Sequence, residues 1–163
     1  MKRLLTATLL AISVCLSASA CGGKQEPEFG ITDQQGMRAA TSTLETAFNA
    51  GDTARAEAAF AKVLSDFDRE NGSAMYGLAL IASKKGDSDE AKQYFDRAIR
   101  SDSAEPSMKV WSYIYMARIF DLECSRARAV EYYEQALKVG DNSRNAQAAA
   151  REGIQKPYGD ACK

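Results

Sequence analysis

A short pattern of small and aromatic residues recurs along this chain and constrains its fold more than any other feature. The three copies are Gly51-Asp52, Ala56, Phe60 and Val63; then, 35 residues later, Gly86-Asp87, Ala91, Phe95 and Ala98; then, after 38 more, Ala129, Tyr133 and Ala136. A repeat of this length is typical of helical solenoids, in which each unit buries its apolar face against the next. The sequence therefore predicts an all-α fold built from stacked helical units.

The pattern has a physical reason in the packing of paired helices. Two antiparallel helices approach closely only where a small side chain lies at their crossing and a ring fills the adjacent space. Counting back from the second helix of a unit places the small residue of its first helix at Ala79 and Ala117, again 38 residues apart. The predicted packing set is Ala56, Phe60, Ala79, Ala91, Phe95, Ala98, Ala117, Ala129, Tyr133 and Ala136.

Gly-Asp pairs mark the predicted turns between the two helices of a unit. Gly51 and Gly86 are suited to the left-handed conformation that ends a helix, and the Asp or the Ser or Thr that follows can cap the next helix. The third unit has Glu123-Cys124-Ser125 at this place, so we expect a variant turn there.

These residues resemble the tetratricopeptide repeat family, whose unit is about 34 residues long. The resemblance implies a right-handed solenoid of about three helix-turn-helix repeats. It covers roughly two thirds of the chain and is weaker in the first helices: in repeat one, Leu44 stands where the family favours Gly or Ala. The implied repeats are residues 37–70, 72–105 and 110–143, with a capping helix and tail at 143–163, in one domain over 33–163.

The resemblance also implies a concave groove lined by the first helix of each repeat. The corresponding positions are Arg38, Thr41, Glu45 and Asn49; Tyr76, Leu80, Ser83 and Lys84; and Trp111, Ile114, Arg118 and Asp121. Tyr76, Trp111 and Arg118 are expected to anchor an extended or helical peptide, because aromatic residues and Arg dominate binding hot spots. The alternative is that Tyr76 and Trp111 pack between repeats. The groove lacks the Lys and Asn set with which chaperone-binding members of the family hold a terminal carboxylate.

Residues 1–20 have the features of an export signal. Lys2 and Arg3 are followed by an apolar stretch and by the small residues Ala18-Ser19-Ala20. Cys21 comes next and resembles the lipidated cysteine of bacterial lipoproteins, although Ala18 stands where Leu is usual. The alternative is ordinary cleavage after Ala20, which leaves Cys21 as a free thiol. Residues 21–32 are predicted to be a flexible tether.

The implied lipid would anchor the protein in a bacterial cell envelope. Gly22, rather than Asp, follows Cys21. By resemblance to lipoproteins of bacteria with two membranes, this predicts the outer membrane, with the protein facing the periplasm.

The remaining cysteines predict a disulfide in the C-terminal part of the chain. Cys15 leaves with the signal, and lipidation of Cys21 leaves the pair Cys124 and Cys162, whereas ordinary cleavage leaves an odd number. A capping helix that runs back along the second helix of repeat three would return the tail to the level of Cys124. Two unpaired thiols are the alternative.

Composition argues against several classes of function. The chain has no histidine, which removes the commonest general base and metal ligand. No phosphate-binding loop or redox Cys-x-x-Cys pair occurs. Without the signal, 19 basic residues face 22 acidic ones, and no basic patch indicates nucleic acid. We therefore expect no catalysis, cofactor or metal.

The predicted function is that of a protein-binding adaptor or scaffold, with an unidentified protein or peptide in the groove. The alternatives are a self-associating structural protein of the envelope, and an accessory chaperone or assembly factor for outer-membrane or secretion complexes. The oligomeric state stays open.

Overall fold

The computed structural model describes residues 51–160 and Cys162. Several predictions fall outside the described residues, namely the signal, the tether and the first helix of repeat one with Leu44. The site residues outside them are Cys21, Arg38, Thr41, Glu45 and Asn49.

The described residues form six α-helices and one short 3-10 turn, with no strand among them. They are α1 (Thr53–Asp66), α2 (Gly72–Lys85), α3 (Ser88–Arg100), α4 (Pro106–Leu122), α5 (Arg126–Val139), the 3-10 turn (Ser143–Asn145) and α6 (Ala146–Gln155). Each helix packs against the next in sequence, and α4 also contacts both α2 and α6. The first helices of successive units, α2, α4 and α6, therefore form one continuous layer.

The two Gly-Asp turns have the conformation that the sequence predicts. Gly51 and Gly86 have positive φ angles of 76° and 82°. Asp52 and Asp87 each accept a hydrogen bond at 3.1 Å, from the backbone N–H of Arg55 and of Glu90. Each Asp thus satisfies one N–H of the first helical turn, which otherwise lacks a partner within the helix.

The third turn differs because a cysteine takes the left-handed position. Cys124 has a φ of 59°. This conformation costs a residue with a Cβ about 1 to 2 kcal/mol more than glycine. Ser125 precedes α5 but makes no capping hydrogen bond through its side chain.

The capping helix begins three residues later than predicted. Arg144 and Asn145 have positive φ angles of 54° and 61°, which a continuous helix cannot contain. The Asp141 carboxylate accepts a hydrogen bond from the Ser143 N–H at 2.9 Å, and this local bond stabilises the bend. Helix α6 therefore starts at Ala146 instead of Ser143.

All ten residues of the predicted packing set are buried. The rings of Phe60 and Tyr133 each pack against a glycine of the neighbouring helix. A Cβ built on Gly77 would lie 2.1 Å from the Phe60 ring, and one built on Gly153 would lie 2.3 Å from the Tyr133 ring. The backbones of α2 and α6 therefore lie directly against these rings.

The loop between α3 and α4 holds the start of α2. The Ser101 hydroxyl donates a hydrogen bond to the Glu70 carbonyl at 2.6 Å, and the Ser103 hydroxyl accepts the Gly72 N–H at 2.9 Å. A Cβ on Gly72 would lie 2.5 Å from the Cβ of Ala104. The loop thus couples two neighbouring units.

Candidate functional site

The predicted groove residues that the structure describes do not all lie on one accessible surface. Tyr76, Leu80, Ser83, Trp111 and Arg118 are half-buried, and Lys84 is exposed. Ile114 and Asp121 are buried, so the prediction that they line the groove is wrong. The two corrections have different physical causes.

Ile114 belongs to the hydrophobic core. Its side chain has no exposed surface and joins the cluster that contains Phe95 and Ala117. Tyr115, which the sequence analysis did not select, is the half-buried residue that lies beside Trp111 instead. The spacing of Trp111, Tyr115 and Arg118 is i, i+4, i+7, which places all three on one helical face and could have identified Tyr115.

Asp121 is buried because it joins three helices and the chain beyond them. Its carboxylate has no exposed surface and accepts hydrogen bonds from Arg126 Nη1 at 3.0 and 3.3 Å. It also accepts the Tyr133 hydroxyl at 3.2 Å and the Tyr158 N–H at 2.8 Å. Arg126 also donates to the Ile154 carbonyl at the end of α6. Asp121 therefore has a structural role, because donors within the protein already make hydrogen bonds to its carboxylate.

The accessible residues form what we call the groove surface: Tyr76 and Leu80 of α2, and Trp111, Tyr115 and Arg118 of α4. Two of its rings, Tyr76 and Tyr115, contact the buried ring of Phe95. The Tyr76 and Phe95 rings are 6.1 Å apart, and Tyr115 stacks on Phe95 at 5.4 Å with an interplanar angle of 5°. The Trp111 ring lies 5.9 Å from Tyr115. Rings held in this way lose little conformational freedom when they bind a partner.

Arg118 carries the positive charge of the groove surface. Its guanidinium lies 5.7 Å from the Trp111 ring and 5.5 Å from the Tyr115 ring. These distances are within the range of cation–π attraction. The aromatic face of α4 therefore holds a planar cation that can stack on or ion-pair with a ligand.

Trp111 and Tyr76 border the first of two clefts beside the groove surface. This cleft has a volume of about 280 Å³ and is lined by Tyr76, Ser107, Met108, Trp111, Ser143 and Arg144. The Trp111 indole N–H donates to the Ser143 carbonyl at 3.0 Å, which fixes the ring. Tyr76 and Trp111 pack between units and also keep a face toward the cleft, whereas their role as peptide anchors stays a prediction.

Burial also sets the ionisation of Tyr76. Loss of solvent around its hydroxyl raises the pKa of Tyr76, the nearby Tyr115 phenol raises it further, and the Arg144 charge opposes the shift. The hydroxyl, which is protonated at neutral pH as in any tyrosine, therefore stays protonated to a higher pH than usual and can donate a hydrogen bond to a ligand.

Ser83 lies toward the end of α2, next to Lys84. Its hydroxyl is buried and has no hydrogen-bond partner in residues 51–160 or Cys162. Such a group costs free energy wherever it is left without a partner. Among the groove predictions in the described part of the chain, Ser83 is the one whose side chain has a buried polar atom without a hydrogen bond.

The second cleft lies at the C-terminal end of the groove surface. It has a volume of about 300 Å³, and its walls include Arg118, Glu152 of α6 and Tyr158 of the segment that follows α6. The Tyr158 ring lies 4.7 Å from the Arg118 guanidinium. The chain therefore contacts its own groove surface through Tyr158.

A disulfide joins Cys124 and Cys162, as the sequence analysis expected. The Cα atoms are 5.5 Å apart and the sulfurs 2.12 Å apart. This bond connects the turn between α4 and α5 to the end of the chain, so it closes the segment after α6 into a loop.

No metal-binding constellation is found in the described residues. No group of three or more Asp, Glu or Cys side chains there is arranged to hold a metal ion. None of the helices formed by residues 51–160 combines the length and the apolar character that crossing a bilayer requires. What the site offers chemically is aromatic stacking, apolar contact, the Tyr76 hydroxyl, and the cations Arg118 and Arg144.

The comparison with protein families supports the repeat architecture. Residues 45–106 match the tetratricopeptide repeat family. A comparison with curated proteins found no match. The matched segment contains α1, α2 and α3. With the helix order described above, the fold is an all-α helical solenoid of the tetratricopeptide repeat type.

Proposed function

We propose that this protein is a non-catalytic protein-binding module that holds a segment of a partner protein on its groove surface. The observation that carries the proposal is the continuous set of rings on α2 and α4, with Arg118 beside Trp111 and Tyr115. Tetratricopeptide repeat domains generally mediate protein–protein interactions, and solenoids bind partners along extended surfaces of this kind.

The energetics favour an aromatic surface for this role. Trp, Tyr and Arg are enriched among residues whose truncation weakens binding by about 2 kcal/mol or more. The groove surface contains all three types, and its rings are already packed against the core. A partner therefore binds without first ordering these side chains.

The proposal includes attachment to the bacterial envelope through a lipid on Cys21. Its support is the sequence alone: the export signal, the small residues before Cys21 and the even number of cysteines that lipidation leaves. One acyl chain gives only marginal membrane binding, whereas two or more make attachment durable. Gly22 after the cysteine favours the outer membrane, facing the periplasm.

The lipid can be tested without reference to binding. We expect wild-type protein to incorporate labelled palmitate and the Cys21→Ser variant to incorporate none. A mature N-terminus at residue 21 without added lipid mass would reject the anchor and leave the binding proposal intact.

The binding proposal is tested by crosslinking in intact cells. A photocrosslinking amino acid at Ser107, on the rim of the first cleft, should capture a defined partner. The same probe at Gln93, an exposed residue of α3, serves as the matched control and should not capture it. A Met108→Glu substitution in the probe-bearing protein should abolish the capture, because it places a charge in the cleft.

Other results would favour the alternatives. Capture of only a second copy of this chain would support the self-associating structural protein. Weak capture of many chains would support the accessory chaperone. Equal capture from Ser107 and Gln93 would contradict binding at the groove surface.

A further inference from the structure

The segment after α6 lies across the C-terminal end of the groove surface. We call this segment, residues 156–160 with Cys162, the tail. Its Tyr158 N–H donates to Asp121 Oδ2 at 2.8 Å, and its Tyr158 ring lies 4.7 Å from Arg118. Tyr158 is therefore held against α4 by a backbone hydrogen bond and by the contact of its ring with Arg118.

The tail enters this place in an extended conformation and then bends, with a φ of 76° at Gly159. Lys156 has φ and ψ of −137° and 130°, the extended conformation that a residue before proline favours. The backbone N–H that Asp121 accepts is a group that every residue except proline carries. The contact of the Tyr158 ring with Arg118, in contrast, depends on the side chain.

Tyr158 occupies a position that a partner's ring would need. Three rings surround the Arg118 guanidinium, at 5.7, 5.5 and 4.7 Å. Trp111 and Tyr115 belong to the groove surface, whereas Tyr158, the closest, belongs to the tail. Tyr158 is also about half exposed, at 47%. Its place on Arg118 is therefore accessible to an incoming ring.

Covalent attachment at both ends keeps the tail in this place. Helix α6 fixes its beginning, and the Cys124–Cys162 disulfide fixes its end. Tethering at both ends gives the tail an effective concentration on the order of millimolar or higher at its site. A free peptide of similar chemistry competes poorly against it.

We propose that the tail is an intramolecular occupant of the groove surface, held there by the disulfide. A partner segment that carries an aromatic side chain takes the place of Tyr158 on Arg118 when the tail is released. This inference rests on the proposed function and adds its regulation and the chemistry of its partner.

Release of the tail needs a dithiol reductant. A thiolate of the reductant attacks one sulfur of the disulfide, forms a mixed disulfide and expels the other cysteine as a thiolate. The second thiol of the reductant then displaces the remaining cysteine. The protein gains two electrons and two protons as two thiols, and the reductant becomes a disulfide. Both cysteines are exposed, which allows this attack.

The test uses a fluorescent peptide with the chain's own tail sequence, Lys-Pro-Tyr-Gly-Asp, and measures binding by anisotropy. We expect reduction of the wild-type protein with dithiothreitol to strengthen binding roughly tenfold or more. The Tyr158→Ala variant keeps the disulfide and should bind the peptide more tightly than oxidised wild type without any reductant. A peptide with Ala in place of Tyr should bind none of these proteins.

Several results would overturn the inference. They are equal affinity of the oxidised and reduced proteins, no binding to Tyr158→Ala, and equal binding of the peptide that lacks the ring. Circular dichroism of each protein verifies that it is folded, and Tyr158→Ala keeps the test valid if the reduced protein unfolds.

The two proposals can fail separately. If the probe at Ser107 captures the same partner equally in wild type and in Tyr158→Ala, the groove surface binds but the tail does not regulate it. If the peptide behaves as expected but Ser107 captures no partner, the tail occupies the groove surface and the adaptor function is wrong.

Discussion

At the scale of single residues, close contacts between rings and small residues determine how the units stack. Phe60 lies against Gly77, and Tyr133 lies against Gly153, with no space for a Cβ. The middle unit uses another solution, because Tyr115 stacks flat on Phe95. Two rings can therefore meet at this contact when their planes are parallel. The second ring in the middle unit is Tyr115, which belongs to the groove surface.

The Gly77→Ala substitution tests this contact. Alanine normally stabilises a helix by about 0.5 to 1 kcal/mol relative to glycine. Here the new Cβ must displace the buried Phe60 ring, and overpacking of a core costs about 1 to 3 kcal/mol. We expect a net loss of about 1 to 2 kcal/mol in the free energy of unfolding, measured with urea.

A double-mutant cycle identifies the cause of that loss. In a Phe60→Leu background the ring is absent, so Gly77→Ala should be neutral or stabilising. The coupling should then be about 1 kcal/mol or more. An equal loss in both backgrounds would show that the Phe60 ring is not what the new Cβ displaces.

At the scale of elements, the repeat pattern predicts helices and turns well because it is local. Gly51, Asp52, Gly86 and Asp87 adopt the conformations and bonds predicted from residue type alone. The start of α6 is predicted less well. Arg144 and Asn145 both adopt the left-handed conformation, and neither is a glycine, the residue type from which that conformation is predicted.

The groove surface is predicted less well than the helices because its exposure depends on what covers it. Carrying positions from repeat to repeat assumes that every first helix has the same neighbours. Helix α4 differs, because α6, Arg126 and the tail cover Asp121. Burial of Asp121 is therefore a property of the assembled elements, whereas Trp111 and Arg118 are predicted from the groove positions of the family.

Asp121 tests how strongly α4, α5 and α6 are joined. Breaking a fully buried ion pair costs about 3 to 5 kcal/mol, but the Arg126 side chain is 34% exposed and retains some hydration. We expect Asp121→Ala to lower the free energy of unfolding by about 2 to 3 kcal/mol. The Tyr158 amide, which then lacks its acceptor, should exchange its hydrogen faster.

An exposed carboxylate provides the matched control. Glu123 pairs with Lys92 at 2.7 Å at the surface. Glu123→Ala should cost less than about 1 kcal/mol, as exposed pairs do. A comparable loss in both variants would mean that Asp121 contributes only its charge and not its hydrogen bonds.

At the scale of the whole molecule, the stability of a solenoid is close to a sum of units and of interfaces between neighbours. The disulfide is an exception to this additivity, because it joins positions that are 38 residues apart. It couples the turn before α5 to the tail beyond α6. Cross-linking should therefore stabilise the C-terminal end of the stack more than the end formed by α1 and α2.

Removing the disulfide should loosen that end first. In the chain-entropy model, a crosslink over this separation contributes about 4 kcal/mol. We expect Cys124→Ser with Cys162→Ser to lose hydrogen-exchange protection in α6 and the tail, while α2 and α3 stay protected. Cys124→Gly with Cys162→Ser should be about 1 kcal/mol more stable than the serine pair, because glycine adopts the φ of 59° without strain. Uniform loss of protection from α1 to α6 would contradict this, because it would show that the solenoid unfolds as one cooperative unit.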